Sequence, residues 1–216
     1  MTAIDERPSV STTSAVAPTG VLLGTGGDPL TVGLIFFGIG SLAVGMALIG
    51  LVPVAALGAV IPIIALGSGL FQLVVTVWAI VLGMSMVAVI FSTFAAFWLS
   101  LAALLLGLGH GWYGVPAENV AGTQAIYFIA WACLFAILVI PCLWLPVIYP
   151  SAVFLVFVAM AFIAAAQFVG SPWLITAAGA TALTFSFLAF YSFVSQGVTA
   201  MTGRVGLPLG KALLGQ

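Results

Sequence analysis

Residues 28–52 read DPLTVGLIFFGIGSLAVGMALIGLV, an acidic residue and a proline followed by a long apolar run. An aspartate side chain can accept hydrogen bonds from the free amides at a helix start, and proline suits the first helical position. A helix needs roughly 20 apolar residues to cross the hydrocarbon of a bilayer. The stretch therefore predicts a membrane-spanning helix that begins at Asp28–Pro29 and ends near Val52.

The same kind of run recurs along the chain. Further apolar segments cover about residues 55–80, 84–108, 125–143, 148–169 and 173–196. Pro62 interrupts the second segment, where it removes a backbone donor and can kink the helix. Between Pro29 and Gly203 the only formally charged side chain is Glu118. The sequence predicts an all-α integral membrane protein, with six transmembrane helices in one domain over residues 28–198.

The two ends of the chain lie outside this domain. Residues 1–27 contain Ser, Thr, Pro and Gly without the pattern of a cleaved signal peptide, which predicts a disordered tail. Residues 199–216 are predicted to form a short C-terminal tail. All three basic residues, Arg7, Arg204 and Lys211, lie in these ends. The positive-inside bias then puts both termini in the cytoplasm and the helices in the inner (plasma) membrane.

The composition excludes several classes of function. The chain is 64% hydrophobic and 3% charged, with a net charge of -1, so it has no basic surface for nucleic acid. With one histidine and four carboxylates, no catalytic group, metal site or cofactor is predicted, and we expect no enzyme. Cys133 and Cys142 are interpreted as packing residues. His110 and Glu118 share the polar connection of residues 110–124, as a pH-sensing pair or simply as a solvated loop.

Uncharged polar side chains within the spans are more informative. Hydroxyls and amides in hydrocarbon either bond neighbouring helices or line a wet path. For Ser92, Thr93 and most others, helix bonding is the simpler interpretation, whereas the four hydrogen-bonding sites of Gln72 are hard to satisfy at a dry position. A path without charges suits small neutral molecules, or small organic acids that cross as the neutral acid or as a poorly hydrated anion.

Several segments together resemble the acetate uptake transporter family, the succinate-acetate permeases or YaaH-like proteins. The matching residues are DPLTVGL at 28–34 followed by Phe37–Gly38, Gln72 after a small-residue pair, FSTFAAFWLSLAALLL at 91–106, Tyr127 and Trp131, and Gly203–Arg204 with Leu207–Pro208. The resemblance implies six-helix protomers in a homohexamer, each with its own path for acetate and related small carboxylates, often moved with protons.

The resemblance also implies roles for single residues. Phe37, Phe94 and Met160 would form the constriction of the path, Gln72, Ser92 and Thr93 would offer hydrogen bonds to the substrate, and Asp28, Pro29, Gly33 and Leu34 would form the entry motif. Two positions depart from the family pattern. Phe94 stands where the family usually has Tyr, so one hydroxyl is missing. Asp28 stands where the family has Asn, and it would repel an anion, relay a proton or cap the helix.

Three functions follow as hypotheses. The first is a channel or proton-linked permease for acetate and similar small monocarboxylates, with succinate as a further candidate. The second is a channel for small neutral solutes such as urea or short amides, since this path lacks fixed positive charge. The third is a membrane scaffold that transports nothing, whose apolar interior would be closed and packed. We expect membrane lipid around the assembly and within the central hole of the hexamer.

Overall fold

The structure, a computed structural model, describes residues 27–52 and 58–215. Within them, six helices are long and apolar enough to cross a membrane. They are α1 (Pro29–Leu48), α2 (Val60–Val81), α3 (Ser85–Gly109), α4 (Val120–Cys142), α5 (Ile148–Val169) and α6 (Pro172–Thr202). The prediction of an all-helical, six-span membrane protein is confirmed. The predicted N-terminal tail lies, apart from Gly27, outside the described residues.

Glycines in a left-handed conformation set two helix ends that the sequence pattern missed. The first helix stops at Leu48 rather than Val52, because Gly50 adopts φ +78 and Leu51 N–H donates to the carbonyl of Met46 at 3.1 Å. The last helix continues past the predicted end at residue 196 to Thr202. There Gly203 adopts φ +66. Residues 199–202 therefore belong to α6.

The polar connection before α4 is shorter than predicted. Residues 120–124 were assigned to that loop, but a 3₁₀ turn at Ala117–Asn119 leads directly into α4 at Val120. The hydroxyl of Thr123 donates to the carbonyl of Asn119 at 3.1 Å, so its polar group is satisfied within the first turn. The first turn of a helix at the bilayer edge tolerates polar side chains. The polarity of residues 120–124 therefore did not indicate a loop.

A widened turn divides α2 into two parts. After Pro62 the backbone forms a π-helix over Ile63–Leu70 and then returns to α-helical geometry at Phe71. Such widened turns are rare and often occur at functional sites. The predicted interruption at Pro62 thus takes the form of a local change of helix type, just before Gln72.

The bundle is held by close helix contacts at small residues. α1 packs most extensively against α6, α4 packs against α5 and α5 against α6, while α2 and α3 pair and cover α1. Gly38 faces the Phe190 ring, and a Cβ on Gly45 would lie 2.8 Å from Leu183 Cδ2. Small residues let helices approach closely in lipid, where packing drives association. At these positions the glycines allow α1 to pack closely against α6.

Candidate solute path

The centre of the bundle holds a cluster of aromatic rings. The ring centroids of Phe37 and Phe94 lie 4.4 Å apart. Phe185 stacks on Phe37 at 5.6 Å, and Phe135 stacks on Phe94 at 5.1 Å. Met160 of α5 closes the remaining side of a small cavity between these rings. The structure thus brings Phe37, Phe94 and Met160, which lie on three different helices, to one point.

This central cavity is almost closed. Its volume is about 10 Å³, and a single water molecule needs roughly 10–15 Å³. The walls are apolar: Ser41 and Trp98 are among the lining residues, but neither presents a polar atom to the cavity, and the Ser41 hydroxyl donates to the carbonyl of Phe37 at 2.7 Å. An apolar narrowing of this size can control passage by excluding water. We call Phe37, Phe94, Met160 and the cavity between them the constriction.

A cavity of about 100 Å³ adjoins the constriction on the side where α1 begins. Phe37 and Phe94 form part of both walls. The other lining residues come from the first halves of α1, α3 and α5, together with Leu145 of the loop before α5. We call it the lower vestibule.

A larger cavity of about 460 Å³ lies on the opposite side. It shares Phe97, Met160 and Ile163 with the constriction, and its other walls come from the last turns of α1, α3 and α5 and the starts of α2, α4 and α6. We call it the upper vestibule. Because α1, α3 and α5 all cross in the same direction, the two vestibules lie at opposite ends of the bundle. The three cavities follow one another along it.

Among the residues that the structure describes, none that lines the three cavities carries a formal charge. The polar groups are few: Tyr149 in the lower vestibule, and Gln124 and Gln167 in the upper one. The amide of Gln167 donates to the carbonyl of Ile163 in its own helix at 3.4 Å. A charge-free lining of this kind fits small solutes with weak hydration.

Gln72 has unused hydrogen-bonding capacity. The residue is fully buried, and neither Nε2 nor Oε1 has a hydrogen-bond partner among the described residues. Its neighbour Phe71 stacks on Phe36 with centroids 4.5 Å apart, and Ser68, one turn earlier, donates to the carbonyl of Phe36 at 2.6 Å. These contacts put Gln72 at the height of Phe36–Phe37, beside the constriction, although it does not line any of the three cavities.

Ser92 and Thr93 have a different environment. Both hydroxyls donate to the carbonyl of Val89 in their own helix, at 3.0 and 2.8 Å, and both side chains are partly exposed. Neither residue lines one of the three cavities. A hydroxyl whose proton is committed to a backbone carbonyl can still accept a hydrogen bond, but it cannot donate one to an anion. The structure therefore does not place these two residues along the path.

The entry motif forms the start of α1. The carboxylate of Asp28 accepts from Leu30 N–H at 3.0 Å, Thr31 N–H at 3.2 Å and the Thr31 hydroxyl at 2.6 Å. Pro29 is buried at the first helical position, and a Cβ on Gly33 would run into the ring of Phe91. Leu34 lines the lower vestibule. Asp28 thus acts as a helix cap in this structure.

The loop between α3 and α4 does not pair its two titratable groups. The imidazole Nδ1 of His110 lies 3.0 Å from the carbonyl of Leu106, and the ring stacks on Trp112 with centroids 5.2 Å apart. Within the described part of the chain, His110 and Glu118 form no ion pair. This favours the solvated-loop interpretation.

A segment after α6 covers the end of the bundle next to the lower vestibule. Residues 203–215, the C-terminal segment, supply partners to the join between α4 and α5: Val147 N–H donates to the carbonyl of Lys211 at 3.1 Å, and Ile148 N–H donates to that of Leu209 at 3.3 Å. The Ser195 hydroxyl donates to the carbonyl of Leu207 at 2.7 Å. The segment thereby satisfies free backbone groups at a helix start. Leu145 in the same join lines the lower vestibule.

Sequence reasoning missed two features of this path. Gln124 was assigned to the loop before α4, yet it lines the upper vestibule from the first turn of that helix. Trp98 was noted only as part of a sequence pattern, yet its buried indole N–H has no partner. No local sequence pattern indicates either role, because both roles depend on the orientation of the helix within the bundle.

Comparison with known proteins gives a family and a fold. The model of the GPR1/FUN34/yaaH family matches residues 21–208. The solved structure of a bacterial acetate channel, SatP, superposes with a TM-score of 0.77 at 23% sequence identity, over 85% of this chain and 99% of that one. At that identity the likeness is one of fold. No curated protein sequence matches the chain.

Proposed function

The chain belongs to the GPR1/FUN34/yaaH family, and from that premise we propose that it is a channel or proton-linked permease for acetate and similar small monocarboxylates, with the dicarboxylate succinate as a further candidate. The observation that carries the proposal is the series of two vestibules joined at the constriction. A cavity of about 460 Å³ that narrows to about 10 Å³ and widens again to about 100 Å³ is what a gated path requires. The fold shared with the acetate channel SatP supports the same assignment.

The constriction is proposed to select by hydration and size. A small carboxylic acid, or its poorly hydrated anion, exposes little polar surface, so an apolar narrowing is a smaller barrier to it than to an inorganic ion. Phe37, Phe94 and Met160 must move apart for passage, because the closed cavity holds at most one water molecule. Their side chains are two aromatic rings and one flexible thioether, and these can rotate without breaking hydrogen bonds.

Gln72 is proposed as a hydrogen-bonding residue beside the constriction. Its carboxamide is buried and unpartnered, and such a group in a native protein calls for an explanation. Contact with a substrate oxygen when the constriction opens would supply one. Ser92 and Thr93 stay in the proposal only as acceptors, since their protons are already committed to Val89.

The assembly is proposed to be a homohexamer in the inner (plasma) membrane, with both termini in the cytoplasm and lipid in its central hole. Six crossings place both ends of the membrane domain on one side, and Arg204 and Lys211 lie just after the last helix. Outward faces of α2 and α4 expose large apolar side chains, among them Val77, Ile80, Ile126 and Ile137. Lipid or a neighbouring protomer would cover them.

A second candidate function, a channel for urea or short amides, is favoured by one observation. None of the lining residues of the three cavities can attract an anion by charge. By contrast, a scaffold function is disfavoured by the two vestibules, because a packed interior would not retain cavities of about 460 and 100 Å³.

The test is uptake of labelled acetate and labelled urea into proteoliposomes at external pH 5.5 and 7.5, with empty liposomes as the control. Acetate flux above the empty liposomes supports the proposal, and extra flux at pH 5.5 beyond their passive leak supports proton linkage. Urea flux without acetate flux would transfer the assignment to the neutral-solute channel. If neither acetate nor urea flux exceeds that of the empty liposomes, the scaffold hypothesis remains.

A further inference from the structure

Trp98 has an indole N–H without a partner at the edge of the constriction. The residue is 2% exposed and lines the central cavity. Its Nε1 is buried and makes no hydrogen bond within residues 27–52 and 58–215. Buried tryptophan N–H groups usually find an acceptor. A donor left free on a residue that lines the narrowest point of a path is therefore unusual. The N–H does not face the closed cavity, so a solute would reach it only when the constriction opens.

The neighbouring hydroxyls do not serve this donor. Ser41 and Ser68, the hydroxyls nearest to it along α1 and α2, donate to the backbone carbonyls of Phe37 and Phe36. A Cβ on Gly40 would contact Ser68 Oγ and would lie 3.4 Å from Trp98 Cε2, the ring carbon bonded to Nε1. The polar edge of the indole therefore points to the contact between α1 and α2.

The second set of unpartnered polar atoms lies close by. Gln72 sits one turn beyond Ser68 on α2, and Ser68 adjoins the same Gly40 that Trp98 approaches. Successive residues four apart share one face of a helix. Gln72 and Trp98 thus both lie near the contact of α1 with α2, at the height of the constriction.

We propose that Trp98 is a specificity-determining residue of the path, whose indole N–H donates a hydrogen bond to an oxygen atom of the permeating monocarboxylate at the constriction. The inference rests on the proposed function. An indole is a donor only, so it can serve an acceptor oxygen but not a cation. Its hydrogen bond to an ionised carboxylate is stronger than to a neutral oxygen. Trp98 would thus favour an anion at a site without formal charge.

The direct test is an NMR titration of the wild-type chain in nanodiscs, with ¹⁵N-labelled tryptophan. The Trp98 indole resonance is assigned by elimination, through single replacement of the other tryptophans. We expect this resonance to shift and saturate on addition of sodium acetate, but not of sodium chloride at the same ionic strength. The resonance of Trp144, which is 56% exposed, serves as the internal control. A Trp98 resonance that does not move with acetate would overturn the proposal.

A flux measurement uses an isosteric replacement of the ring. β-(3-Benzothienyl)alanine at position 98 keeps the shape of the indole and replaces its N–H by sulfur, so packing is preserved where Trp98→Phe would leave a void. Loss of one hydrogen bond to a charged group should lower acetate flux about tenfold or more. The same replacement at Trp173, 65% exposed, should leave flux unchanged.

The two readouts separate the possible failures. Wild-type chain that moves no acetate above empty liposomes refutes the proposed function. Wild-type chain that moves acetate, combined with unchanged flux after replacement at Trp98, refutes only the role of this residue.

Discussion

The rings of Phe37 and Phe94 meet at a centroid distance of 4.4 Å and an interplanar angle of 43°. Both rings are nearly fully buried, and each stacks on a further aromatic ring behind it. The closure is therefore made by side chains that support each other rather than by a single residue. Substitutions at the constriction should change the flux and the solute range before they change the fold.

Phe94→Tyr should preserve or increase acetate flux. The added hydroxyl restores the residue that the family usually has at this position and can donate to a carboxylate. Acetate uptake into proteoliposomes measures the effect. Phe187→Tyr, at a side chain 65% exposed on the outside of α6, is the matched control and should match the wild type. A large loss of flux in Phe94→Tyr alone would contradict the role that the family pattern implies for a hydroxyl at this position.

Met160→Ala should widen the range of solutes. Removing the side chain enlarges the central cavity of about 10 Å³, so the flux of butyrate should rise relative to that of acetate. Deleting a buried Met side chain costs about 2–5 kcal/mol of stability, which a lower melting temperature would report. Met201→Ala, at a residue 86% exposed, should change neither quantity. An unchanged butyrate-to-acetate ratio would contradict a constriction at Met160.

Gln72→Leu should lower acetate transport without lowering the stability of the protein. The amide atoms of Gln72 have no partner, and an apolar group of similar shape removes that unpaired polarity, so the melting temperature should stay constant or rise. Acetate flux should fall about tenfold or more, because a hydrogen bond to a charged solute is lost. Thr76→Val, one turn away where the hydroxyl donates to the carbonyl of Gln72 at 2.8 Å, is the control. Undiminished flux in Gln72→Leu would refute its role.

The number of membrane spans was predictable because the chain has almost no charged side chains between its first and last helices. With Glu118 as the only charge between Pro29 and Gly203, the apolar runs must lie in lipid, and hydropathy alone separates them. The helix ends were less predictable. The left-handed conformation of Gly50 and the π-helical turn after Pro62 depend on neighbouring helices. Several other glycines and prolines of the sequence neither end a helix nor widen one, so the residue type alone does not predict these features.

The candidate site was predictable only in part. Phe37, Phe94 and Met160 came from the family pattern, and the structure brings them to one cavity. The sequence could not show that the protons of Ser92 and Thr93 are committed to Val89, or that the Trp98 indole N–H is free. In each case the difference lies in side-chain direction within a packed bundle, which neither periodicity nor composition encodes.

Gly206→Ala should loosen the C-terminal segment. A Cβ at this position would run into the carbonyl of Ser195, so the hydrogen bond from Ser195 to Leu207 and the contacts beyond it would be displaced. We expect a loss of about 1–3 kcal/mol and faster proteolysis after α6. Gly197→Ala has open space around its Cβ and should be neutral or stabilising. Equal behaviour of the two variants would mean that the segment is not held as described.

Asp28→Asn should leave both stability and the pH dependence of transport unchanged. The Asp28 carboxylate caps α1 through Leu30 and Thr31, and asparagine caps a helix about as well. An amide cannot take up a proton from water in this pH range, so a relay through Asp28 would be lost in the variant. The measurement is the ratio of acetate flux at external pH 5.5 to that at pH 7.5.

Glu118→Gln, in the turn before α4, is the matched control for removal of one carboxylate, because that residue is exposed and lines none of the three cavities. If Asp28 acts only as a cap, both variants should keep the wild-type ratio. If the ratio drops to that of empty liposomes in Asp28→Asn alone, this carboxylate carries protons as well as capping the helix. Asp28→Ala removes the cap, at a cost of about 1 kcal/mol, as well as the carboxylate. Its difference from Asp28→Asn therefore measures the contribution of the cap alone.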